Sequence, residues 1–334
     1  MRDAISTPGS SSLPALAPLP DAARAGAAEA GATRRRWYTH RLNTALSLRL
    51  ILGIIPRVPR FLVPPIGVVT TAVCIIFMRR ERQATARNLS RVLGVRGWRL
   101  RRAVWRQFYA FSRFMVSHCD LGDPDPEALH RWLSDDAGGQ SSMRAALEGG
   151  RGLIAVTAHL GNWEAGMRLL GLTGAPVHVV MRADRASAAE RWLMGRRAGP
   201  NLRVLRLDDG PAASLALRAA LQRNEIVAMQ GDRLIGGRSL TVNLFGAPFG
   251  LPSGPFALAY VCQAPLLPVF VVQDGWWRWH AEVGEPIRFP RTADRDTDLK
   301  TGAEQYAAEL EQAVLRHPDQ WFNFYDLWPT EAGA

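Results

Sequence analysis

The stretch "TAHLGNWEAG", residues 157–166, places a glutamate five positions after a histidine, where the apolar run "GLIAV" gives way to a helical pattern. On one continuous helix, His159 and Glu164 would point about 140° apart, given ~3.6 residues per turn. A turn at "LGN" would bring them together, and Asn162 is a natural N-cap for a helix that starts at Trp163. Glu164 would then accept a hydrogen bond from one imidazole nitrogen and leave the other free to take a proton. The pattern predicts half of a catalytic triad, with the nucleophile supplied by the substrate.

A structural interpretation of the same pair stays open, because a histidine can simply end a strand and a glutamate favours a helix N-terminus. A metal site is disfavoured, since the sequence contains no HExxH motif. A GxSxG elbow and a P-loop are also missing from the sequence. We therefore expect chemistry that needs neither a metal nor a cofactor. The other histidines are scattered at positions 40, 118, 130, 178, 280 and 317.

The elements that must position this pair begin at residue 150, where short apolar runs alternate with helical patterns. Predicted strands are "GLIAVTA", "VHVVM", "LRVLRL" and "EIVAMQ", with helices "WEAGMRLLGL", "SAAERWLMGRRA" and "PAASLALRAALQ" between them. Later runs, "PLLPVFVVQ" and "WWRWHAEVG", indicate further strands, antiparallel at an edge, before a helix at "AEQYAAELEQAVLRH". The alternation predicts an α/β fold with a largely parallel or mixed sheet flanked by helices. In such sheets functional residues lie at the carboxyl ends of strands, where His159 is expected.

The positive charge of the chain is concentrated in one segment. The net charge is +11, but residues 34–113 contain 18 arginines against the single acid Glu81, a local charge of +17 that leaves the remainder at −6. Such asymmetry indicates an anionic partner: nucleic acid, an acidic carrier protein or anionic lipid headgroups. The high apolar content of the segment and the lack of a nucleic-acid motif argue against nucleic acid.

An uncharged run of eighteen residues, 61–78, lies inside the basic segment and is flanked by arginines. That length is at the lower limit for a membrane span. Pro64 and Pro65 would break a straight helix near its start, so a re-entrant or interfacial hairpin with residues 44–56 is an equal alternative. A buried helical hairpin in a soluble protein is the third. The arginine-rich flanks favour the cytoplasmic face of the membrane.

Four regions follow from these patterns. Residues 1–36 are rich in small residues and proline and are predicted to be a disordered tail; residues 37–80 form the membrane-associated helical segment. Residues 81–149 form a basic helical region, and residues 150–334 form the α/β domain. In the basic region Leu100, Val104, Phe108, Phe111 and Met115 predict an amphipathic helix, whose opposite face, with Arg99, Arg102, Arg106 and Arg113, either is simply solvated or docks on lipid headgroups. Three well-separated cysteines, without a CxxC pair, suit a reducing compartment.

Several blocks in this order resemble one known family. "HLGNWE" resembles the HxxxxD/E block of the glycerolipid acyltransferase superfamily and, in this form, that of the bacterial lipid A biosynthesis (lauroyl/myristoyl) acyltransferases. "VVMRAD", "RWLMGRRAG", "EIVAMQGDRLIGG", "VNLFGAPFGLPSGPFALA" and "APLLPVF" follow in a compatible order, and the resemblance covers roughly residues 40–328. The chain departs from the lipid A enzymes at "QGDR" and at its ending "WFNFYDLW". These departures resemble a divergent branch, which leaves lipid A and other lipids open as acceptors.

The resemblance implies an O-acyltransferase that moves a fatty acyl chain from a thioester to a hydroxyl of a lipid or glycolipid. His159 would be the general base, and Glu164 would fix its tautomer and stabilise the imidazolium. Arg182 and Arg233 would bind acceptor phosphate or carboxylate, or counter the oxyanion, unless they are ordinary surface arginines. Asp232 would contact substrate or serve as the structural partner of Arg233. Asn162 is the remaining candidate in the substrate-binding set.

Acyl carrier protein is the donor that the resemblance implies, with acyl-CoA as the alternative. Carrier proteins are acidic, so the basic segment would serve docking as well as membrane attachment. Two other functions stay open: a hydrolase in which the same histidine activates water, and a nonenzymatic membrane or nucleic-acid adaptor.

Overall fold

The computed structural model describes residues 53–120, 133–134, 137–171, 173–181, 201–206, 211–234 and 237–329. These residues belong to one compact unit, His40–Ala334. The predicted tail, residues 1–36, lies outside the described residues, as do the helix predicted at "SAAERWLMGRRA" and Arg182.

A mixed β-sheet forms the centre of the structure. The seven strands of the sheet and the two of a separate hairpin are, in chain order, β1 (Leu133–Ser134), β2 (Leu153–Thr157), β3 (Val177–Met181), β4 (Leu202–Arg206), β5 (Ile226–Gln230), β6 (Ser239–Leu244), β7 (Ala247–Pro252), β8 (Leu266–Gln273) and β9 (Trp279–Val283). The order in the sheet is β1-β9-β8-β2-β5-β3-β4, and β6 pairs with β7. β8, β2, β5, β3 and β4 are mutually parallel, whereas β9 is antiparallel to β8. The predicted fold class, and the antiparallel strand toward one edge, are confirmed.

Helices cover both faces of this sheet. They are α1 (Val63–Phe77), α2 (Arg79–Leu93), α3 (Gly97–Asp120), α4 (Ala137–Glu148), α5 (Trp163–Gly171), α6 (Pro211–Gln222), α7 (Gly254–Cys262) and α8 (Arg295–Arg316), with short 3-10 turns at Ile55–Arg57, Arg60–Leu62 and Pro318–Gln320. Alternate residues of β2 point to opposite faces: Ile154 and Val156 pack with α6, α7 and α8, and Leu153 and Ala155 pack with α4 and α5. Because both faces are buried, the strand reads as a continuous apolar run.

The β6–β7 hairpin was not predicted from the sequence. Its two-residue turn, Phe245 and Gly246, has positive φ at both positions (52° and 72°), as a type I′ turn requires. Because the first turn position is a phenylalanine, the turn does not have the Asn-Gly or Asp-Gly sequence by which such turns are usually predicted. The hairpin packs against α8.

Helix α1 begins at Val63 rather than breaking at the prolines. Pro64 and Pro65 occupy its first turn, where a missing N–H leaves no hydrogen bond unmade. Among the described residues, only the stretch Arg60–Phe77 is long and apolar enough to cross a membrane, with a mean hydropathy of 1.9 and 17% of it buried.

The amphipathic helix predicted in the basic region is α3. Val104 and Phe108 are buried in one apolar cluster, which Leu100 joins, and Phe111 and Met115 pack against a second cluster. Arg102 and Arg106 are exposed as expected. Arg113 differs, because its guanidinium is half-buried over the Tyr109 ring at 5.9 Å, and burial lowers its pKa.

Candidate active site

The carboxyl ends of two neighbouring parallel strands bring His159 and Asp232 together. In the register of β2 and β5, Thr157 lies opposite Gln230, and each chain runs two residues further to the histidine and the aspartate. Equivalent positions beyond adjacent parallel strands lie side by side, so the sheet itself sets this pair. The same rule, applied to both strands, would have placed the two residues at one edge of the sheet, but not next to each other.

Asp232 holds His159 through both carboxylate oxygens. The imidazole Nδ1 lies 2.8 Å from Oδ1, and the backbone N–H of His159 donates to Oδ2 at 3.0 Å. The indole Nε1–H of Trp321 donates to the same Oδ2 at 3.1 Å. A carboxylate only accepts, so Nδ1 carries the proton and Nε2 keeps the lone pair that can take another.

From the sequence we expected the carboxylate on this imidazole to be that of Glu164. In the structure Nδ1 is bonded instead to Asp232. Glu164 is buried in the first turn of α5, where its charge suits the helix dipole. The expectation placed the partner five residues away in sequence, whereas the sheet supplies one that is 73 residues away.

Glycines allow the close approach of the chains around this pair. Gly161 has φ +66°, and a Cβ there would overlap the Val271 carbonyl of β8. Gly231 directly precedes Asp232, and a Cβ there would lie 2.7 Å from the Val156 side chain. Alanine at either position would push the loop that carries His159, or Asp232 itself, away from the sheet.

Electrostatics favour a neutral imidazole beside an ionised aspartate. Burial lowers the pKa of His159, and Arg233 lowers it further, whereas Asp232 opposes both effects. Burial alone would raise the pKa of Asp232, but His159 and Arg233 hold it well below the ordinary value. At neutral pH, His159 is therefore in the form that can accept a proton.

The Asn162 side chain makes its hydrogen bonds with other residues of the protein. Its Oδ1 accepts the backbone N–H of Ala165 at 3.1 Å, the predicted N-cap contact, and its Nδ2 donates to the Ser117 hydroxyl of α3 at 2.9 Å. The side chain is 0% exposed. With both ends of the amide occupied, we assign Asn162 to holding α5 and the catalytic loop rather than to substrate.

The C-terminal segment 317–329 closes one side of the site. The Phe322 N–H donates to the His159 carbonyl at 2.8 Å. Arg233 donates from Nε to Asn323 Oδ1 at 2.8 Å and from a terminal nitrogen to the Phe322 carbonyl. Arg233 therefore contacts this segment beside the site.

Buried amide side chains tie the same segment to the N-terminal helices. Asn88 of α2 donates to the Tyr325 carbonyl at 2.8 Å and accepts the Leu327 N–H at 3.1 Å. Gln107 of α3 donates to the Trp321 carbonyl at 2.8 Å. The basic helices are therefore part of the framework of the site.

Aromatic side chains form a wall beside the imidazole. The Trp163 ring meets His159 edge to face with centroids 5.1 Å apart, and Phe114 of α3 lies 4.3 Å from Trp163. Phe322 packs against Phe114 at 5.5 Å. From the sequence, the ending "WFNFYDLW" was noted only as a departure from the family pattern. Its Trp321 and Phe322 are contact residues of the site that sequence reasoning missed.

His159 and Asp232 are only two side chains that could bind a metal ion, and a protein zinc site usually has three or four protein ligands. Among the described residues, one other group, His280, Glu282 and His317, brings three ligating side chains within 4.8 Å of one another.

The fold and the site together describe an α/β protein in which a buried aspartate orients a histidine beyond the ends of two neighbouring parallel strands. The chain belongs to the bacterial lipid A biosynthesis acyltransferase family, which it matches over residues 36–330. It is an O-acyltransferase that acylates a lipid or glycolipid.

Curated relatives are mycobacterial. The chain is 27% identical to the phosphatidylinositol mannoside acyltransferase of Mycobacterium tuberculosis over 245 residues, covering 72% of this chain and 75% of the relative. The enzyme of the same name from Mycolicibacterium smegmatis is 27% identical over 190 residues, covering 55% of this chain and 59% of the relative. This level of identity agrees with a divergent branch.

Proposed function

We propose that His159 is the general base in the transfer of a fatty acyl chain from a thioester to an acceptor hydroxyl. Nε2 removes the hydroxyl proton as the oxygen attacks the thioester carbonyl. The tetrahedral intermediate then collapses, the C–S bond breaks, and the imidazolium gives its proton to the leaving thiolate. The observation that carries this proposal is the 2.8 Å contact between Nδ1 and a fully buried Asp232 carboxylate, which orients the ring and favours its protonated form.

Glu164 is kept as a second proposed catalytic carboxylate. Its burial in the first turn of α5, within the loop-and-helix unit that carries His159, supports an electrostatic contribution to the imidazolium. Because Asp232, and not Glu164, accepts the hydrogen bond from Nδ1, we assign Glu164 the smaller share.

For the acceptor we propose a phosphorylated lipid that bears a free sugar or polyol hydroxyl. The names of the mycobacterial relatives support this class, since those enzymes acylate a phosphatidylinositol mannoside. Arg233 lies next to Asp232, and Arg182 follows β3; both are proposed to face acceptor phosphate or the developing oxyanion.

For the donor we propose acyl carrier protein, with acyl-CoA as the alternative. Support comes from an open cavity of about 600 Å³ at the start of α3, lined by Arg99, Arg102 and Arg106 together with apolar side chains such as Leu93 and Leu315. None of these three arginines makes an ion pair with any residue in the described part of the chain. Unpaired guanidinium groups around a concave surface suit an acidic protein or a phosphate group.

Neighbouring arginines provide a matched test of this donor surface. Arg102→Gln with Arg106→Gln should raise KM for acyl carrier protein by about tenfold and reduce the salt dependence. Arg96→Gln with Arg101→Gln removes the same charge from exposed positions outside the cavity and should leave KM unchanged. Equal effects of the two double variants would argue against a specific docking surface. Better turnover with acyl-CoA than with the carrier protein would favour the alternative donor.

We further propose attachment to the cytoplasmic face of the inner membrane through α1. Support comes from its exposed apolar side chains, among them Val69 at 64%, Ile76 at 62% and Phe77 at 76% exposure. Such a surface resists high-salt extraction, since apolar insertion is not screened by salt. Val69→Asp with Ile76→Asp should move the protein to the soluble fraction. Leu215→Asp, at a leucine of α6 that is 66% exposed, is the matched control and should not.

A labelled-acyl assay with extracted lipids tests the function as a whole. Label in an ester-linked lipid supports transfer, and free fatty acid would indicate a hydrolase in which His159 activates water. No turnover with any acyl thioester would favour a nonenzymatic adaptor. Loss of one acyl chain from a lipid species in a deletion strain would identify the acceptor.

A further inference from the structure

Three side chains outside the His159–Asp232 pair converge between β9 and the end of α8. His280 and Glu282 alternate with the buried Trp279 and Ala281, so both point to the outer face of β9. His317 is the C-cap residue of α8 and meets them there. The ligand atoms of the three all lie within 4.8 Å of one another.

The hydrogen bonds around this group leave a place for a cation. Asp274 Oδ2 lies 2.9 Å from His280 Nδ1, so that nitrogen carries a proton, which it donates. Its Nε2 lies 3.5 Å from Glu282 Oε1. That distance is close to the separation of two ligand atoms that bind one tetrahedral zinc ion at about 2.0–2.2 Å each.

The other contacts match what surrounds metal ligands in proteins. A ligating histidine usually donates its second ring N–H to a carboxylate, as His280 does to Asp274. Ligating carboxylates are themselves hydrogen-bonded, and Glu282 Oε2 accepts from Arg316 at 2.7 Å while Oε1 faces the imidazoles. His317 Nε2 makes a 2.6 Å hydrogen bond with the same Oε1, so a metal ion would displace the proton that these two atoms share.

We propose that His280, Glu282 and His317 bind a divalent transition-metal ion, with zinc as the best match. Two imidazoles and one carboxylate form a donor set that zinc accepts, with water in the fourth position. The three side chains are 19–26% exposed, so the ion can enter from solvent. The sequence shows no metal spacing because two ligands come from a strand and the third from the end of a helix 35 residues later.

The ion would fasten the segment that closes the catalytic site. His317 directly precedes the turn Pro318–Gln320, and Trp321, which donates to Asp232, follows it. A metal bond from β9 to His317 would therefore hold the start of this segment. The role is structural, and acyl transfer itself involves no bond to the ion.

Zinc titration of the full-length protein, purified without a polyhistidine tag and stripped of metal, tests the site. We expect one zinc ion per chain by calorimetry, and at 100-fold excess over Kd a rise in Tm of about 4 °C or more. Binding should weaken at pH 5, because imidazoles must be neutral to ligate. His280→Ala and His317→Ala should each abolish it, whereas Asp274→Asn should weaken it about 10- to 100-fold.

The control is His159→Ala, which removes the other imidazole paired with an aspartate and should leave zinc affinity unchanged. Visible absorption of bound Co²⁺ that is lost in His317→Ala would support direct ligation. The proposal is overturned if the stripped protein shows no zinc binding in the micromolar range. It is equally overturned if His280→Ala and His317→Ala both bind zinc as tightly as the unaltered protein, because a proton then occupies the place assigned to the metal.

Discussion

Two imidazole–aspartate pairs in this protein look alike at close range and differ in their surroundings. His159 Nδ1 lies 2.8 Å from Asp232, and His280 Nδ1 lies 2.9 Å from Asp274. The Asp232 side chain is 0% exposed, whereas that of Asp274 is 34% exposed. Charge interactions are strong where water is excluded and weak where it is not. The hydrogen bond alone therefore does not make a general base.

The surroundings differ in donors as well as in burial. Asp232 accepts three hydrogen bonds, from the His159 ring, the His159 backbone and Trp321. These donors fix the position of Asp232 and, with it, the orientation of the His159 ring. His280 instead faces Glu282 and His317, which suits a bound cation better than proton transfer.

The largest difference between the two pairs is expected when the histidine of each is replaced by alanine. His159→Ala should lower acyl transfer by roughly 10²- to 10⁴-fold, because the acceptor hydroxyl loses its base. His280→Ala should leave turnover near normal at temperatures well below Tm. Single-turnover assays with acyl carrier protein and extracted lipids would measure the chemical step, and thermal unfolding would confirm that both variants fold. Near-normal turnover by a folded His159→Ala protein would remove the general-base assignment.

The next effect separates the carboxylates. Asp232→Asn keeps the shape of the side chain but loses the charge that favours imidazolium, so turnover should fall on the order of 10²-fold or more. Glu164→Gln should reduce it less, and Asp274→Asn should barely change it. The three variants are compared by kcat at saturating donor. If Glu164→Gln lost more activity than Asp232→Asn, Glu164 would be the main partner of the histidine, as the sequence first indicated.

Much of this site was predictable, and its missing part has a clear physical reason. The strand before His159, the turn at Gly161 and the cap at Asn162 follow from local patterns, and the structure has all three. The pairing with Asp232 depends on β5 lying next to β2, although β3 and β4 come between them in the chain. Local patterns give strands but not their order, so Glu164, the nearest carboxylate in sequence, was the natural expectation.

The C-terminal segment illustrates the same limit. Its aromatic and amide residues have no periodicity, because they follow no helix or strand and are positioned by contacts with α2, α3 and Asp232. The hairpin β6–β7 escaped prediction for a local reason, since Phe245 adopts a positive φ that its residue type rarely shows. Arg182 and residues 1–36 lie outside the described residues, so the predictions made for them stay predictions.

A smaller, graded effect concerns pH. The pKa of His159 is lowered, so kcat/KM should fall on the acidic side with a midpoint below about 6.5, the ordinary value. Asp232 raises this pKa, so Asp232→Asn should move the midpoint lower still. Stability follows the same sign: the unfolded histidine binds the proton more tightly, so stability is complete above about pH 6.5 and declines in acid. A midpoint above 6.5, measured from pH 5 to 8, would contradict this picture.

The smallest effect concerns the third donor to Asp232, and two tryptophans of one segment allow a matched test. Trp321→Phe removes the indole N–H that donates to Oδ2 at 3.1 Å. Trp328→Phe removes an N–H that is buried without a hydrogen-bond partner among the described residues, and both rings pack on Phe245 and Phe249. The two substitutions therefore share the loss of ring area but not the loss of the hydrogen bond.

Trp321→Phe should lower the free energy of unfolding by about 1.5–3 kcal/mol more than Trp328→Phe, the usual range for a hydrogen bond to a charged group. Turnover should fall by at most about tenfold, since His159 still supplies two donors to Asp232 and about 1.4 kcal/mol of lost transition-state stabilisation gives a tenfold effect. Urea unfolding and single-turnover rates would measure the two quantities. Equal losses of stability in the two variants would show that Trp321 acts only through packing, and would leave the orientation of Asp232 to His159 alone.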